Sequence, residues 1–173
     1  MGAHAAVGAQ AAEGATGVEQ PQTQREVYAP VVIDTNVVLD LLVFSDPNSA
    51  ELRAALEAGH LQWLATAAMR EELLRVLDYP QLQPRLAFYR LTPTQVMATF
   101  DARATLCPTA PKATCTCKDA DDQKFIDLAV AHQSVLLSKD KAVLAMRKRL
   151  ERLGVALNPG ADKKALGAGF AGR

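Results

Sequence analysis

The chain has 173 residues, of which 49% are hydrophobic and 22% are charged, a composition that suits one globular domain with a packed core. Nineteen basic residues balance nineteen acidic ones, which excludes a protein that coats nucleic acid through bulk positive charge but allows a local nucleic-acid site. No apolar run reaches the roughly 18–20 residues that span a bilayer, and the N-terminus lacks the basic start and apolar centre of a secretory signal, so we expect no membrane partner and a cytoplasmic location.

The two ends of the chain differ in composition from its middle. Residues 1–26 are rich in Ala, Gly and Gln and hold few large apolar side chains. Such a segment buries too little surface to offset the entropy lost on ordering, so it is predicted to be a disordered tail. Residues 159–173 are Gly-rich and are predicted to be a flexible tail. The folded domain is therefore expected to cover residues 27–158.

Short apolar runs alternate with longer helical stretches inside this domain. In chain order we expect a strand at 29–33, helices at 37–44 and 50–58, a strand at 61–65, helices at 67–77, 85–90 and 92–104, a short strand at 106–107, a helix from 121 or 122 to 132, a strand at 134–138, a helix at 142–153 and a strand at 155–157. The alternation predicts an α/β fold, an α/β/α three-layer sandwich around a mainly parallel five-stranded sheet.

Acidic residues follow the predicted strands at the edge where such sheets bind ligands. Asp34 follows the first strand and Asp140 the fourth, while Asp119, Asp121 and Asp122 lie at the start of the helix after the third. Taken singly, each of these acids could have a purely structural role, as a helix cap or as a favourable charge at a helix N-terminus. Carboxylates gathered within ~4 Å repel one another by roughly 4 kcal/mol at an effective dielectric near 20, which a bound cation relieves. Oxygen ligands favour hard ions such as Mg²⁺ or Mn²⁺.

Other kinds of site find little support in the sequence. There is no glycine-rich phosphate loop and no Gly-x-Ser-x-Gly elbow. The three histidines, His4, His60 and His132, are scattered along the chain. The three cysteines are an odd number and offer no disulfide framework of the secreted kind, so we expect reduced thiols at Cys107, Cys115 and Cys117. A metal-dependent phosphatase is the weaker enzyme hypothesis, because no Asp-x-Asp follows the first strand.

Four segments together resemble PIN-domain nucleases, especially the bacterial VapC-like branch of toxin–antitoxin toxins. The resemblance covers residues 30 to about 159. Its segments are 31–37, which contains Asp-Thr-Asn; 66–77, a helix with an internal Glu; 118–129, an acidic helix start; and 136–140, a strand ending at an Asp.

The resemblance implies four residues that are both catalytic and metal-ligating, namely Asp34, Glu72, Asp122 and Asp140. It also implies four supporting residues that hold or orient them, namely Thr35, Asn36, Asp121 and Ser138. Two neighbours compete with these assignments. Glu71 could replace Glu72, although the two point about 100° apart on a helix and Glu72 borders the apolar face. Asp121 could be a second ligand or a cap beside Asp122.

The function that the resemblance implies is Mg²⁺- or Mn²⁺-dependent cleavage of RNA to a 3′-hydroxyl and a 5′-phosphate. A toxin of this kind would have an RNA substrate, an antitoxin protein and a second copy of itself as partners. The alternative is a PIN module that binds RNA or a protein partner without cleavage. The basic side chains of 147–152 could line an RNA groove or simply form a solvated helix face.

Overall fold

A five-stranded, all-parallel sheet forms the centre of the computed structural model, which describes residues 29–159. The strands lie in the order β3-β2-β1-β4-β5. Their bounds are β1 Ala29–Ile33, β2 Leu61–Thr66, β3 Ala104–Cys107, β4 Val135–Leu137 and β5 Ala156–Leu157. The predicted N-terminal tail and most of the predicted C-terminal one, 159–173, lie outside the described residues.

Helices connect successive strands, as parallel pairing requires. Their bounds are α1 Thr35–Leu42, α2 Ala50–Glu57, α3 Ala67–Leu77, α4 Gln83–Phe88, α5 Pro93–Arg103, α6 Gln123–His132, α7 Lys141–Leu144 and α8 Arg147–Arg152. Helix α1 packs against α2, α3 and α5, whereas α6 packs across β1, β2 and β4. Right-handed crossovers put these two groups on opposite faces of the sheet. The predicted α/β fold is confirmed.

Local sequence signals explain how the chain leaves β2 and enters α5. The Thr66 hydroxyl accepts a hydrogen bond from the Met69 amide at 3.4 Å and caps α3 directly after the strand. Thr92 and Gln95 form a reciprocal capping box at the start of α5, with Pro at the first turn of the helix. Helix α3 therefore begins at the carboxyl end of β2, so its first two turns lie close to the carboxyl edge of the sheet.

The core follows from the central position of β1. Val31 and Val32 are fully buried because helices cover both faces of this strand. On β2, the Trp63 ring packs edge-on against Phe100 of α5, with 5.0 Å between ring centroids. Among residues 29–159, no helix combines the length and apolar character needed to cross a membrane.

The helix predicted at 142–153 is wrong as a single element. The structure has two short helices, α7 and α8, because the backbone tightens at Met146, whose amide bonds to the Val143 carbonyl three residues back at 2.9 Å. After this turn the Arg147 guanidinium donates to the Leu157 carbonyl of β5 at 2.6 Å. No Gly or Pro marks the break, and Val143, Met146 and Leu150 are all buried at helical spacing, so periodicity could not show it.

Candidate active site

The acidic residues lie where the strand order reverses. The chain proceeds from β1 through β2 to β3 on one side, and then returns to place β4 on the other side of β1. Ligands of open α/β sheets bind at such a switch point, beyond the carboxyl ends of the strands. Asp34 directly follows β1, and its amide bonds to the Leu137 carbonyl of β4 at 2.9 Å. Asp140 follows β4 three residues after its end and caps α7 through the Ala142 amide at 2.8 Å.

Three carboxylates form the tightest group at this edge. Asp119, Asp122 and Asp140 each offer an oxygen, and these atoms all lie within 4.8 Å of one another. The Asp119 side chain accepts from the Asp121 amide at 2.9 Å and so starts a 3-10 turn, Ala120–Asp122, that buries Asp122 while Asp121 stays exposed. Within residues 29–159 the buried Oδ2 of Asp122 has no hydrogen-bond partner. An orphaned buried carboxylate oxygen is costly unless a ligand completes it.

Burial and mutual repulsion disfavour the charged forms of these acids. Burial, followed by the charges of Asp34, Asp140 and Asp119, raises the pKa of Asp122 to about 7. Burial also raises the pKa of Asp34, to which the charges of Glu72 and Asp140 add, although a hydrogen bond from Ser138 opposes the rise. The metal-free cluster therefore holds a proton near neutral pH, which a cation would displace.

Glu72 adjoins the cluster and has its own partners. Its Oε2 accepts from the Thr35 hydroxyl at 2.6 Å, and its Oε1 accepts from the Lys124 ammonium at 3.1 Å. Glu71 is exposed, so of the two competing glutamates it is Glu72 that faces the site. The charge of Glu72 also acts on Asp34, which places both in one electrostatic environment.

Ser138 ties β4 to the first aspartate. Its hydroxyl donates to the Asp34 Oδ2 at 2.6 Å and accepts from the Asp140 amide at 3.1 Å. Asn158 holds Ser138 in turn: its Oδ1 accepts from the Ser138 amide at 2.9 Å, and its Nδ2 donates to the Ser138 carbonyl at 2.7 Å. A single hydroxyl thus bridges two acidic residues, with its own backbone fixed by the segment after β5.

The four predicted acids therefore share one region, but they are not equivalent. Asp34, Asp122 and Asp140 are coupled to one another by charge, and Glu72 is coupled to Asp34. The supporting residues Thr35 and Ser138 contact Glu72 and Asp34 respectively, at 2.6 Å in both cases. Asn36 is exposed, and Asp121 contributes only backbone groups to the site. Their side chains are not drawn into the cluster.

Three residues of the site were missed or undervalued by sequence reasoning. The strand-end rule places Asp119 at this edge, but the resemblance favours Asp122 and assigns Asp119 no role. Lys124 carried no signal beyond its position two residues after Asp122 in a helix. Asn158 sits directly after the last strand with a positive φ of 43°, a conformation that Asn adopts more readily than most residues, and that position was its one available signal.

The donor set fits a hard divalent cation. Its members are carboxylate oxygens, one of them buried and unpartnered, and such sites favour Mg²⁺ or Mn²⁺ over softer ions. The neighbouring Cys117 is buried, and burial raises the pKa of its thiol, to which the nearby aspartates add. Its Sγ does not belong to the group of ligand atoms that lie within 4.8 Å of one another, and all three members of that group are carboxylates.

The chain was also compared with known proteins. A family model described as PIN domain matches residues 30–142, which is more than half of the chain. The comparison with curated proteins found no match.

Proposed function

We propose that this chain, which belongs to the PIN-domain family, is a divalent-metal-dependent endoribonuclease. PIN domains are generally nucleases. The observation that supports metal dependence most directly is the buried, unpartnered Asp122 oxygen inside a group of three carboxylates. A protein without a cation at this place would gain stability by replacing one of these acids with an amide.

Asp119, Asp122 and Asp140 would hold the cation, with Asp34 beside them. When bound, a divalent ion lowers the pKa of a water and neutralises charge on the phosphate. Ser138 fixes the orientation of Asp34, and Asp122 gives up the proton that it retains in the metal-free protein. The proton of the attacking water passes to solvent, which reaches the group through its exposed member, Asp119.

The reaction is hydrolysis of a phosphodiester. The water oxygen forms a new bond to phosphorus, the bond from phosphorus to the 3′ oxygen breaks, and the leaving oxygen takes up a proton. The products are a 3′-hydroxyl and a 5′-phosphate, the polarity that the resemblance implies.

RNA is proposed as the substrate because of a cavity next to the acidic group. It measures about 640 Å³ and shares Ser138 with the site. Its wall includes Asp40, Asn48 and Ser49, which offer hydrogen bonds of the kind that distinguish a ribose 2′-hydroxyl from deoxyribose. Lys139 lies at the same wall and pairs with Asp40.

The test is cleavage of one single-stranded sequence offered as RNA and as DNA, with Mn²⁺ and with EDTA, and with the cut ends mapped. We expect cleavage of RNA that EDTA abolishes and that Asp34→Ala abolishes without loss of the fold. Asp78→Asn is the control. Asp78 is an exposed acid at the end of α3, so this substitution removes one negative charge at a position away from the site. Full activity in Asp34→Ala would refute the proposal.

We also propose that the enzyme acts in the cytoplasm as a VapC-like toxin, restrained by an antitoxin and assembled as a homodimer. The alternative is an RNA- or partner-binding PIN module that does not cut. Retention of intact RNA with Mn²⁺, by wild type and Asp34→Ala alike, would favour that alternative. Growth arrest on expression of the wild type but not of Asp34→Ala would favour the toxin.

A further inference from the structure

Lys124 makes three contacts that fix its ammonium beside Glu72. The Nζ atom lies 3.1 Å from the Glu72 Oε1 and 2.6 Å from the Asp121 carbonyl oxygen. The same atom lies 5.0 Å from the centre of the Phe125 ring. The side chains of Lys124 and Glu72 are only 25% and 16% exposed, so this pair is not a freely solvated surface contact. A long side chain held by three partners has a defined position.

Glu72 has both of its oxygens occupied by donors from the chain itself. The Thr35 hydroxyl takes one and the Lys124 ammonium takes the other. The contrast with Asp122 is sharp, because an oxygen of Asp122 is buried without a partner in the described part of the chain. Glu72 is also absent from the group of carboxylates whose oxygens lie within 4.8 Å of one another. The acids of the site therefore include three aspartates whose oxygens lie together, Asp34 held by Ser138 beside them, and a Glu72 that is paired with Lys124.

We propose that the Lys124 ammonium occupies the position that a second divalent ion would otherwise take at Glu72, so that the chain binds a single divalent ion. This inference rests on the proposed function. A two-metal site needs its ions about 3.5–4 Å apart and shared carboxylates between them. At Glu72 a second ion would have to displace an ammonium that is already paired and hydrogen-bonded. Glu72 is then a positioning residue, holding Thr35 and Lys124, and not a ligand of the bound ion.

The chain's own chemistry supports a fixed ammonium here. A lysine supplies one positive charge and three donors with no need for an octahedral oxygen shell. It pairs with one Glu72 oxygen whether or not metal is present, so Glu72 is less available to a divalent ion than the three aspartates are. Its position beside the cluster also leaves a cation near a phosphate bound there.

The experiment is a count of bound Mn²⁺ per full-length chain, by calorimetric titration and by electron paramagnetic resonance of free Mn²⁺. We expect one ion in the wild type and two in Lys124→Met, because the substitution removes the ammonium and frees the Glu72 Oε1. Lys124→Arg keeps the charge and should bind one ion. Lys148→Met is the control: it removes the same charge from an exposed position on α8 and should also bind one.

Each outcome bears on a different statement. Two ions in the wild type, or one in both the wild type and Lys124→Met, would overturn the inference and leave the proposed nuclease standing. No ion in the wild type would overturn the inference and the metal dependence together. Circular dichroism of every variant confirms the fold, and Lys124→Gln, which keeps a hydrogen-bond donor without the charge, should bind two ions if Lys124→Met is unstable.

Discussion

Replacing Asp122 with Asn should stabilise the metal-free protein, and the gain should depend on pH. Asp122 is 8% exposed, one of its oxygens has no partner in the described chain, and it faces the charges of three other aspartates. An amide of nearly the same shape keeps the packing and removes the charge. Residues that serve a bound ligand are often a burden on the empty fold, and this substitution measures that burden.

The magnitude follows from the pKa of Asp122, which rises from 3.8 to about 7. At about 1.4 kcal/mol per pH unit, this rise corresponds to a cost on the order of 4 kcal/mol, which Asp122 shares with the aspartates that repel it. Below the unfolded pKa both states hold the proton, so there is no penalty. Between the two pKa values the unfolded chain loses its proton while the fold keeps it, and the stability of the wild type falls as the pH rises. Above about pH 7 the full penalty remains.

The assay is urea unfolding with EDTA at several pH values from about 4 to about 8. Asp122→Asn should match the wild type at the acidic end and exceed it in free energy of unfolding by up to about 4 kcal/mol at the alkaline end. Asp121→Asn is the control, because it removes the same charge from the exposed neighbour and should show no such rise. The reasoning fails if Asp122→Asn and Asp121→Asn give the same difference from the wild type at every pH.

Two further predictions concern the support of the site and the core. Ser138→Ala removes the hydroxyl that bridges Asp34 and Asp140. The free energy of unfolding should fall by about 1–3 kcal/mol, and the affinity for Mn²⁺ should fall about 10–100-fold in a calorimetric titration. Unchanged affinity would show that the bridge does not orient the acids. Trp63→Ala removes a ring that is 1% exposed and packed against Phe100, so urea unfolding should show a loss of about 3–5 kcal/mol, and a loss under about 1 kcal/mol would mean that the core refills the space.

The strand-end rule predicted the location of the site because strands leave a strong pattern in sequence. Runs such as 29–33 are short, β-branched and apolar, so the residues after them could be placed at one edge of the sheet. The rule points to five acids before any resemblance is used, namely Asp34, Asp119, Asp121, Asp122 and Asp140. Glu72 came only from the resemblance and from its place on a helix face, because a glutamate within a helix carries no signal of its own.

Irregular backbone accounts for what the sequence did not show. The break between α7 and α8 depends on a tightened turn at Met146 that no Gly or Pro announces. The hydrogen bonds between Asn158 and Ser138 join positions 20 residues apart in the chain, and the Lys124–Glu72 pair joins positions 52 residues apart. Such contacts depend on how α3, α6 and the loop after β5 are packed, and a single sequence contains the side chains but not their packing.

The strand order also determines when, during synthesis of the chain, the carboxylates at the edge of the sheet can come together. β1 is the first described strand, yet its neighbour β4 comes near the end of the described chain, and the Ser138–Asp34 bond spans 104 residues. A ribosome releases the N-terminal strands first, so a nascent chain holds Asp34 long before it holds Asp140. We expect such an intermediate to lack the assembled site, so under the proposed function an unfinished molecule would not cut the ribosomal and messenger RNA nearest to it.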